Sequence, residues 1–129
     1  MADRPRKILV VEDSPTMCQL YRIVLGHVAS AELIFAQNGV EGLDRAAQTP
    51  DVELVIVDVN MPQMDGLEFL RRLRSELGLA VPALVISTEG QESDRLAAME
   101  AGADAYLRKP WTPDGLLGAI DQLVQSGSA

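Results

Sequence analysis

Short apolar runs alternate along the chain with longer segments in which apolar residues recur every three or four positions. Runs of four or five residues rich in Val, Ile and Leu are typical of strands that are buried on both faces of a sheet. The longer segments have the period of helices that cover such a sheet. The predicted strands are Ile8–Val11, Glu32–Ala36, Leu54–Val57, Ala83–Ile86 and Ala105–Arg108.

Capping residues mark the starts of the helices between and after these strands. Ser, Thr, Asp and Asn accept hydrogen bonds from the first amides of a helix, and Pro suits its first position. We expect the first helix to close over Gly26–Ala31, and Gly102 to end the fourth helix in the left-handed conformation. The predicted starts are Ser14–Pro15, Asn38–Gly39, Asp65, Ser93–Asp94 and Thr112–Pro113.

Each predicted helix carries an apolar stripe that we expect to face the sheet. By contrast, Arg71, Arg72 and Arg74 are predicted to form a solvated helix face. In chain order the stripes are Met17, Leu20, Tyr21, Val24 and Leu25, then Val40, Leu43 and Ala47, then Leu67, Leu70, Leu73 and Leu77, then Leu96, Ala97 and Met99, then Leu116, Leu117, Ile120, Leu123 and Val124.

Five strands that alternate with five helices through short connections predict a doubly wound α/β fold. Right-handed crossovers build a parallel sheet with helices on both faces. The 129 residues suffice for one domain, which we expect to span 1–129 with a frayed tail at 126–129. No internal repeat or long linker divides the chain.

Composition narrows the range of functions. Eleven Lys and Arg against 19 Asp and Glu give a net charge of -8, which disfavours direct nucleic-acid binding because phosphate backbones are bound through basic patches. No strictly apolar run exceeds four residues, so neither a membrane helix nor a signal peptide is predicted. Cys18 is the only cysteine, which excludes an internal disulfide and favours the cytoplasm.

Polar residues follow four of the predicted strands at their carboxyl ends, where open α/β sheets bind ligands. Three acids there would repel one another unless a hard cation such as Mg²⁺ bridges them. Asp58 is then a candidate nucleophile, because a carboxylate can form an acyl phosphate while a lysine and a hydroxyl bind the other phosphoryl oxygens. The residues are Glu12 and Asp13, then Asp58, then Ser87 and Thr88, then Lys109.

Four motifs at these strand ends carry a family resemblance. Together, and in this order, they resemble the receiver domains of two-component response regulators, specifically the single-domain, CheY-like chemotaxis type. The resemblance covers residues 7–124, nearly the whole chain. The motifs are Val10–Ser14, Asp58–Gly66, Ile86–Thr88 and Lys109–Pro110.

The resemblance implies a flavodoxin-like sheet of strand order 2-1-3-4-5 and a phosphoryl group on Asp58, received from the phosphohistidine of a sensor histidine kinase. Ser87 and Lys109 would bind that phosphoryl group, and the Lys109–Pro110 peptide bond is expected to be cis. The implied ligands of Mg²⁺ are Glu12, Asp13, Asp58 and the backbone carbonyl of Asn60.

The resemblance also implies a switch. A phosphoryl group would draw the Ser87 hydroxyl inward, and Tyr106 would turn into the vacated space. This change would repack the face formed by helix four, strand five and helix five, which binds a downstream protein target. Asn60 and Glu89 occupy positions that tune phosphoryl lifetime, and a phosphatase is a further candidate partner.

Three positions depart from the pattern of many relatives. Ser87 stands where Thr is common and keeps the hydroxyl. Thr88 is larger than the usual residue, which we expect to crowd the access of water or phosphodonor. Trp111 is bulkier than usual and is expected to alter the partner face.

Other functions stay open at this stage. The chain is compatible with a phosphorelay intermediate or a receiver excised from a longer regulator. An aspartyl-phosphate hydrolase of the haloacid dehalogenase type needs a second acid two residues after the nucleophile, where this chain has Asn60. A flavin carrier needs a phosphate-binding loop after the first strand, where Glu12 and Asp13 would repel the phosphate.

Overall fold

The computed structural model describes residues 5–28, 31–59, 61, 64–88 and 90–127. Within these residues, five parallel strands form one sheet in the order β2-β1-β3-β4-β5, which confirms the predicted fold class and strand order. The strands are β1 (Lys7–Val11), β2 (Glu32–Ala36), β3 (Leu54–Asp58), β4 (Ala83–Ser87) and β5 (Ala105–Arg108), each within one residue of its prediction.

Helices cover both faces of the sheet, and four of the predicted capping residues are confirmed. The Ser14, Asn38, Asp65 and Thr112 side chains each accept a hydrogen bond from an amide in the first turn of their helix. No helix among the described residues is both long and apolar enough to span a membrane. The helices are α1 (Pro15–Tyr21), α2 (Gly39–Gln48), α3 (Gly66–Ser75), α4 (Glu92–Ala101) and α5 (Pro113–Gly127).

The first helix ends within its predicted range. Helix α1 continues directly into a π-helical segment, Arg22–Val28, so helical structure ends between Gly26 and Ala31, where we expected the first helix to close. Helix α5 includes residues 126 and 127, which the sequence predicts to be frayed, whereas 128–129 lie outside the described residues.

Alternate residues of each strand face opposite layers of the core, as the two-residue period of a strand requires. In β1, Leu9 and Val11 pack with α2, α3 and α4, whereas Ile8 and Val10 pack with α1 and α5. The sheet is therefore buried on both faces, which explains why its strands are continuous apolar runs.

The predicted apolar stripe of α2 is wrong at two of its three residues. Val40 and Ala47 are exposed, whereas Leu43 is half-buried and packs against the core. The fully buried positions are Gly39, Gly42 and Ala46. A Cβ at Gly42 would lie 2.8 Å from the Phe69 ring, so this helix approaches the core through its glycines. Leu43 is therefore the one large apolar residue of α2 that marks its buried face.

The prediction for α4 is likewise wrong only in part. Leu96 is more than half exposed, whereas Met99 is half-buried and packs against the core. The fully buried residues are Ala98 and Ala101. The helix begins at Glu92 with Gln91 at the capping position, so Ser93 lies in the first turn and is not the cap. Gly102 does end the helix in the left-handed conformation, with φ of 119°.

The sequence predicts that Arg74 belongs to a solvated helix face, and for this residue the prediction is wrong. Its guanidinium donates to the backbone carbonyls of Gly102, Leu79 and Val81, with distances of 2.7 to 3.2 Å. It also lies 3.1 Å from the Asp104 carboxylate, which accepts the Ala83 amide at 2.9 Å. Arg74 therefore ties α3 to the segments that precede β4 and β5, at the edge of the sheet where these strands begin.

We expect Arg74→Met to lower the free energy of unfolding by about 2 to 4 kcal/mol, because several carbonyls lose a charged donor at once. Arg71→Met is the matched control, since the Arg71 side chain is 56% exposed and forms one ion pair, at 3.5 Å, which contributes less than about 1 kcal/mol. Urea unfolding measures both changes. Equal effects of the two substitutions would contradict the assignment of Arg74.

Candidate functional site

The register of the strands brings the predicted residues together at one edge of the sheet. Val11 pairs with Val57, so Glu12 and Asp58 are level on neighbouring strands. Asp58 pairs with Ile86, and Ser87 pairs with Arg108, which places Ser87 and Lys109 beside them. Parallel pairing thus converts four separate segments of sequence into one cluster.

The ammonium of Lys109 is the centre of this cluster. Its Nζ atom donates a hydrogen bond to Asp58 Oδ1 at 3.0 Å and lies 3.8 Å from Glu12 Oε1. The two acids are buried, with 2% of Glu12 and 4% of Asp58 exposed, so water screens these interactions little. Lys109 is therefore the cation that offsets the two buried carboxylates.

Glu12 is held in an unusual electrostatic environment. Burial, and after it the neighbouring Asp58 carboxylate, raise the pKa of its carboxyl to about 7 against the opposing effect of Lys109. Glu12 Oε2 accepts the Ser14 amide at 3.3 Å, but the buried Oε1 atom has no hydrogen-bond partner. One buried carboxylate oxygen is therefore left to bind a cation.

The acidic residues fit a hard divalent cation. Oxygen atoms of Glu12, Asp13 and Asp58 all lie within 4.8 Å of one another. Such oxygens are the ligands that Mg²⁺ prefers, and the incompletely satisfied Glu12 Oε1 is a donor of the required kind. Asn60, the fourth predicted ligand, lies outside the described residues.

The hydroxyl residues after β4 differ in exposure. Ser87 is 1% exposed, and its carbonyl accepts the Lys109 amide at 2.7 Å, whereas Thr88 is exposed. The Lys109–Pro110 peptide bond is cis, as predicted. Ser87 thus adjoins the segment that carries Lys109.

Tyr106 lies on the face of β5 opposite to Ala105 and Leu107 and is half-buried against α2, α3 and α4. It lines a shallow cleft between α4 and β5, together with Arg95 and Arg108. Glu89, predicted to tune phosphoryl lifetime, lies outside the described residues. The structure therefore places Tyr106 next to the surface of α4.

Two features of the site are absent from the sequence prediction. Gly66, the first residue of α3, approaches the Asp58 backbone so closely that a Cβ would lie 2.9 Å from the Asp58 carbonyl carbon and would also meet its oxygen. Trp111 packs against Tyr21 in the α1–α5 layer, not beside Tyr106. The Asp65–Gly66 pair was a usable signal for the first feature, whereas the second needs the tertiary structure.

Comparison with known proteins identifies this arrangement. The family model described as response regulator receiver domain matches residues 8–121. The chain belongs to this family. A chemotaxis protein CheY homolog of Campylobacter jejuni is 34% identical over 95% of both chains. Chemotaxis protein CheY1 of Helicobacter pylori is 34% identical over 85% of this chain and 90% of that protein.

A solved structure supports the same assignment. Chemotaxis protein CheY4 of Vibrio cholerae has a TM-score of 0.83 and 32% sequence identity, and the match covers 91% of this chain and 97% of that one. The protein is therefore a receiver domain of the chemotaxis response-regulator type. This family assignment replaces the aspartyl-phosphate hydrolase and flavin-carrier hypotheses.

The raised pKa of Glu12 makes the metal-free receiver domain less stable as the pH rises. The folded protein binds this proton more tightly than the unfolded chain does, so the stabilisation is complete below about pH 4.5 and is lost as the pH rises through about 7. We expect wild type to lose on the order of 2 to 3 kcal/mol relative to Glu12→Gln across this range.

Urea unfolding of both proteins with a metal chelator, over the same pH range, measures the difference. Addition of Mg²⁺ should remove much of it, because a bound cation favours the carboxylate. Parallel pH profiles of wild type and Glu12→Gln would show that Glu12 is not the titrating group.

Gly66→Ala should displace Asp58, because the new methyl group would meet the Asp58 backbone, which cannot move without disturbing β3. We expect a loss of about 2 kcal/mol or more of stability. Gly118→Ala is the control: it lies in α5, where an added Cβ would have no neighbouring atom within 4 Å, and it should stabilise by up to about 1 kcal/mol. Thermal unfolding of the two variants tests the opposite signs.

Proposed function

We propose that this receiver domain is a chemotaxis response regulator that accepts a phosphoryl group on Asp58 from the phosphohistidine of a sensor histidine kinase. The observation that carries the proposal is the contact of Lys109 Nζ with Asp58 Oδ1 at 3.0 Å, within the cluster that also holds Glu12 and Asp13. This arrangement supports a nucleophilic carboxylate with a fixed cation beside it.

The transfer is a displacement at phosphorus. The Asp58 carboxylate forms the new O–P bond while the P–N bond of the phosphohistidine breaks, and the electron pair of that bond returns to the imidazole. The imidazole leaves as a neutral ring when its other nitrogen carries a proton. Lys109 remains close enough to offset negative charge on the transferred group, which is the main source of rate in phosphoryl transfer.

Glu12, Asp13 and Asp58 would hold Mg²⁺ in the active receiver, and the backbone carbonyl of Asn60 is the proposed additional ligand. When bound, the ion neutralises charge on the oxygens of the transferring group. The fixed positions of Glu12 and Asp58 keep their carboxylates oriented before the donor arrives, so little reorganisation is needed.

The proposed switch uses the residues that follow and accompany β4. Ser87 would bind the phosphoryl group through its hydroxyl, and Tyr106 would change its packing in the cleft beside α4. This change would alter the face formed by α4, β5 and α5, on which we place the downstream protein target. Leu96, a large and exposed apolar side chain of α4, supports a protein-binding role for this face.

We propose a signalling role for the domain, which assists its own phosphorylation and dephosphorylation but turns over no separate substrate. An amide such as that of Asn60 cannot serve as the proton-transferring acid of a hydrolase. Asn60 and Glu89 would instead tune the lifetime of the phosphoryl group, and Thr88, which is exposed, would limit access to it. A separate phosphatase is a further candidate partner that would shorten the lifetime of the phosphoryl group.

Intact mass after incubation with acetyl phosphate or phosphoramidate tests the proposal. We expect one phosphoryl adduct on wild type that requires Mg²⁺, and none on Asp58→Ala, because the nucleophile is lost. Asp44→Ala, which removes an exposed acid on α2, is the control and should be labelled like wild type. Full labelling of Asp58→Ala would overturn the site assignment.

A further inference from the structure

Trp111, two residues after Lys109, packs against Tyr21. Its ring centroid lies 5.2 Å from that of Tyr21, with an angle of 34° between the ring planes. Tyr21 is 1% exposed and lies in the core between the sheet, α1 and α5. The indole is therefore attached to a rigid part of the molecule.

The chain segment that carries Lys109 is held on both sides of that residue. Before Lys109, the strand β5 and the hydrogen bond from the Lys109 amide to the Ser87 carbonyl hold the backbone. After it, Pro110 is exposed, Trp111 packs into the core, and the exposed Thr112 caps α5. Trp111 thus supplies the packing on the carboxyl-terminal side of Lys109.

Packing, not hydrogen bonding, keeps the indole in place. Its Nε1 atom is buried without a hydrogen-bond partner. Burial, and after it the Glu12 and Asp58 carboxylates, raise the pKa of the Tyr21 hydroxyl, which the Trp111 side chain acts to lower. The aromatic pair therefore lies within electrostatic range of the same carboxylates that Lys109 contacts.

We propose that Trp111 is a positioning residue, which holds the Lys109 ammonium against Asp58 and Glu12 through its contact with Tyr21. The effect on phosphoryl acceptance rests on the proposed function, whereas the effect on Lys109 itself does not. Displacement of a catalytic group by about 1 Å can reduce a rate up to about 100-fold. Loss of the indole should act on the reaction through Lys109 alone.

The first readout is the rate of labelling by acetyl phosphate at saturating Mg²⁺. We expect Trp111→Ala to slow it by about tenfold or more, and Trp111→Phe, which keeps an aromatic ring and gives up an unpaired N–H, to stay within about twofold of wild type. Leu123→Ala is the stability control, because it removes apolar volume from the same cluster without a link to Lys109. It should weaken folding but leave the rate of the folded protein unchanged.

The second readout is Mg²⁺ affinity, measured by calorimetry in a double-mutant cycle with Lys109→Ala. An ammonium held at the acids opposes cation binding, so Lys109→Ala should tighten Mg²⁺ binding by about three- to tenfold. Trp111→Ala should tighten it in the same direction, and should add nothing in the Lys109→Ala background. A merely loosened site would bind Mg²⁺ more weakly, which is the opposite sign.

The proposal is overturned by an unchanged labelling rate of Trp111→Ala, by weaker Mg²⁺ binding, or by an equal effect of Trp111→Ala in both backgrounds. Trp111→Leu replaces the alanine variant if the latter does not fold, and it is expected to change Mg²⁺ affinity in the same direction. The Mg²⁺ cycle needs no phosphorylation. It therefore separates failure of the Trp111 assignment from failure of the proposed function, which labelling of Asp58→Ala would reveal.

Discussion

The contact between Lys109 and Asp58, 3.0 Å long, is the interaction around which the site is organised. One ammonium lies among three clustered acids, so the positive charge offsets only part of the negative charge. Burial of Glu12 makes its negative charge still less favourable, and the pKa of this carboxyl is therefore raised to about 7. A site with this deficit stabilises an added cation and responds strongly to any change in the charge on Asp58.

The parallel sheet makes this concentration of charge tolerable. Its strands are buried on both faces and end together, so the acids project from a rigid edge and cannot move apart. Gly66 brings the start of α3 against the Asp58 backbone, which restrains Asp58 further. At the opposite edge, the hydrogen bonds of Arg74 hold the segments before β4 and β5. Both ends of the strands that deliver Ser87 and Lys109 are thus fixed.

Most of the fold was predictable because the strands are buried on both faces, so that continuous apolar runs mark them directly. The proximity of Glu12, Asp58 and Lys109 was predictable because these residues follow those runs. The buried face of α2 was not, since its packing depends on Gly39 and Gly42, which carry no hydrophobic signal. The prediction for Arg74 was wrong for a related reason. Its hydrogen-bond partners include backbone carbonyls, which no side-chain pattern in the sequence reveals.

The two sides of β5 connect the site to different layers of the molecule. Tyr106 faces the α2–α3–α4 layer, whereas the chain beyond Lys109 enters the α1–α5 layer through Trp111. Under the proposed function, a phosphoryl group on Asp58 acts on Ser87 and Lys109 at once. The Ser87 branch leads to Tyr106 and an exposed face, where a change in packing is visible to a partner. The Lys109 branch ends at the buried Tyr21, where packing resists change. Under this proposal, the route through Ser87 and Tyr106 transmits the signal to a partner, whereas the route through Lys109 and Trp111 keeps the site in place.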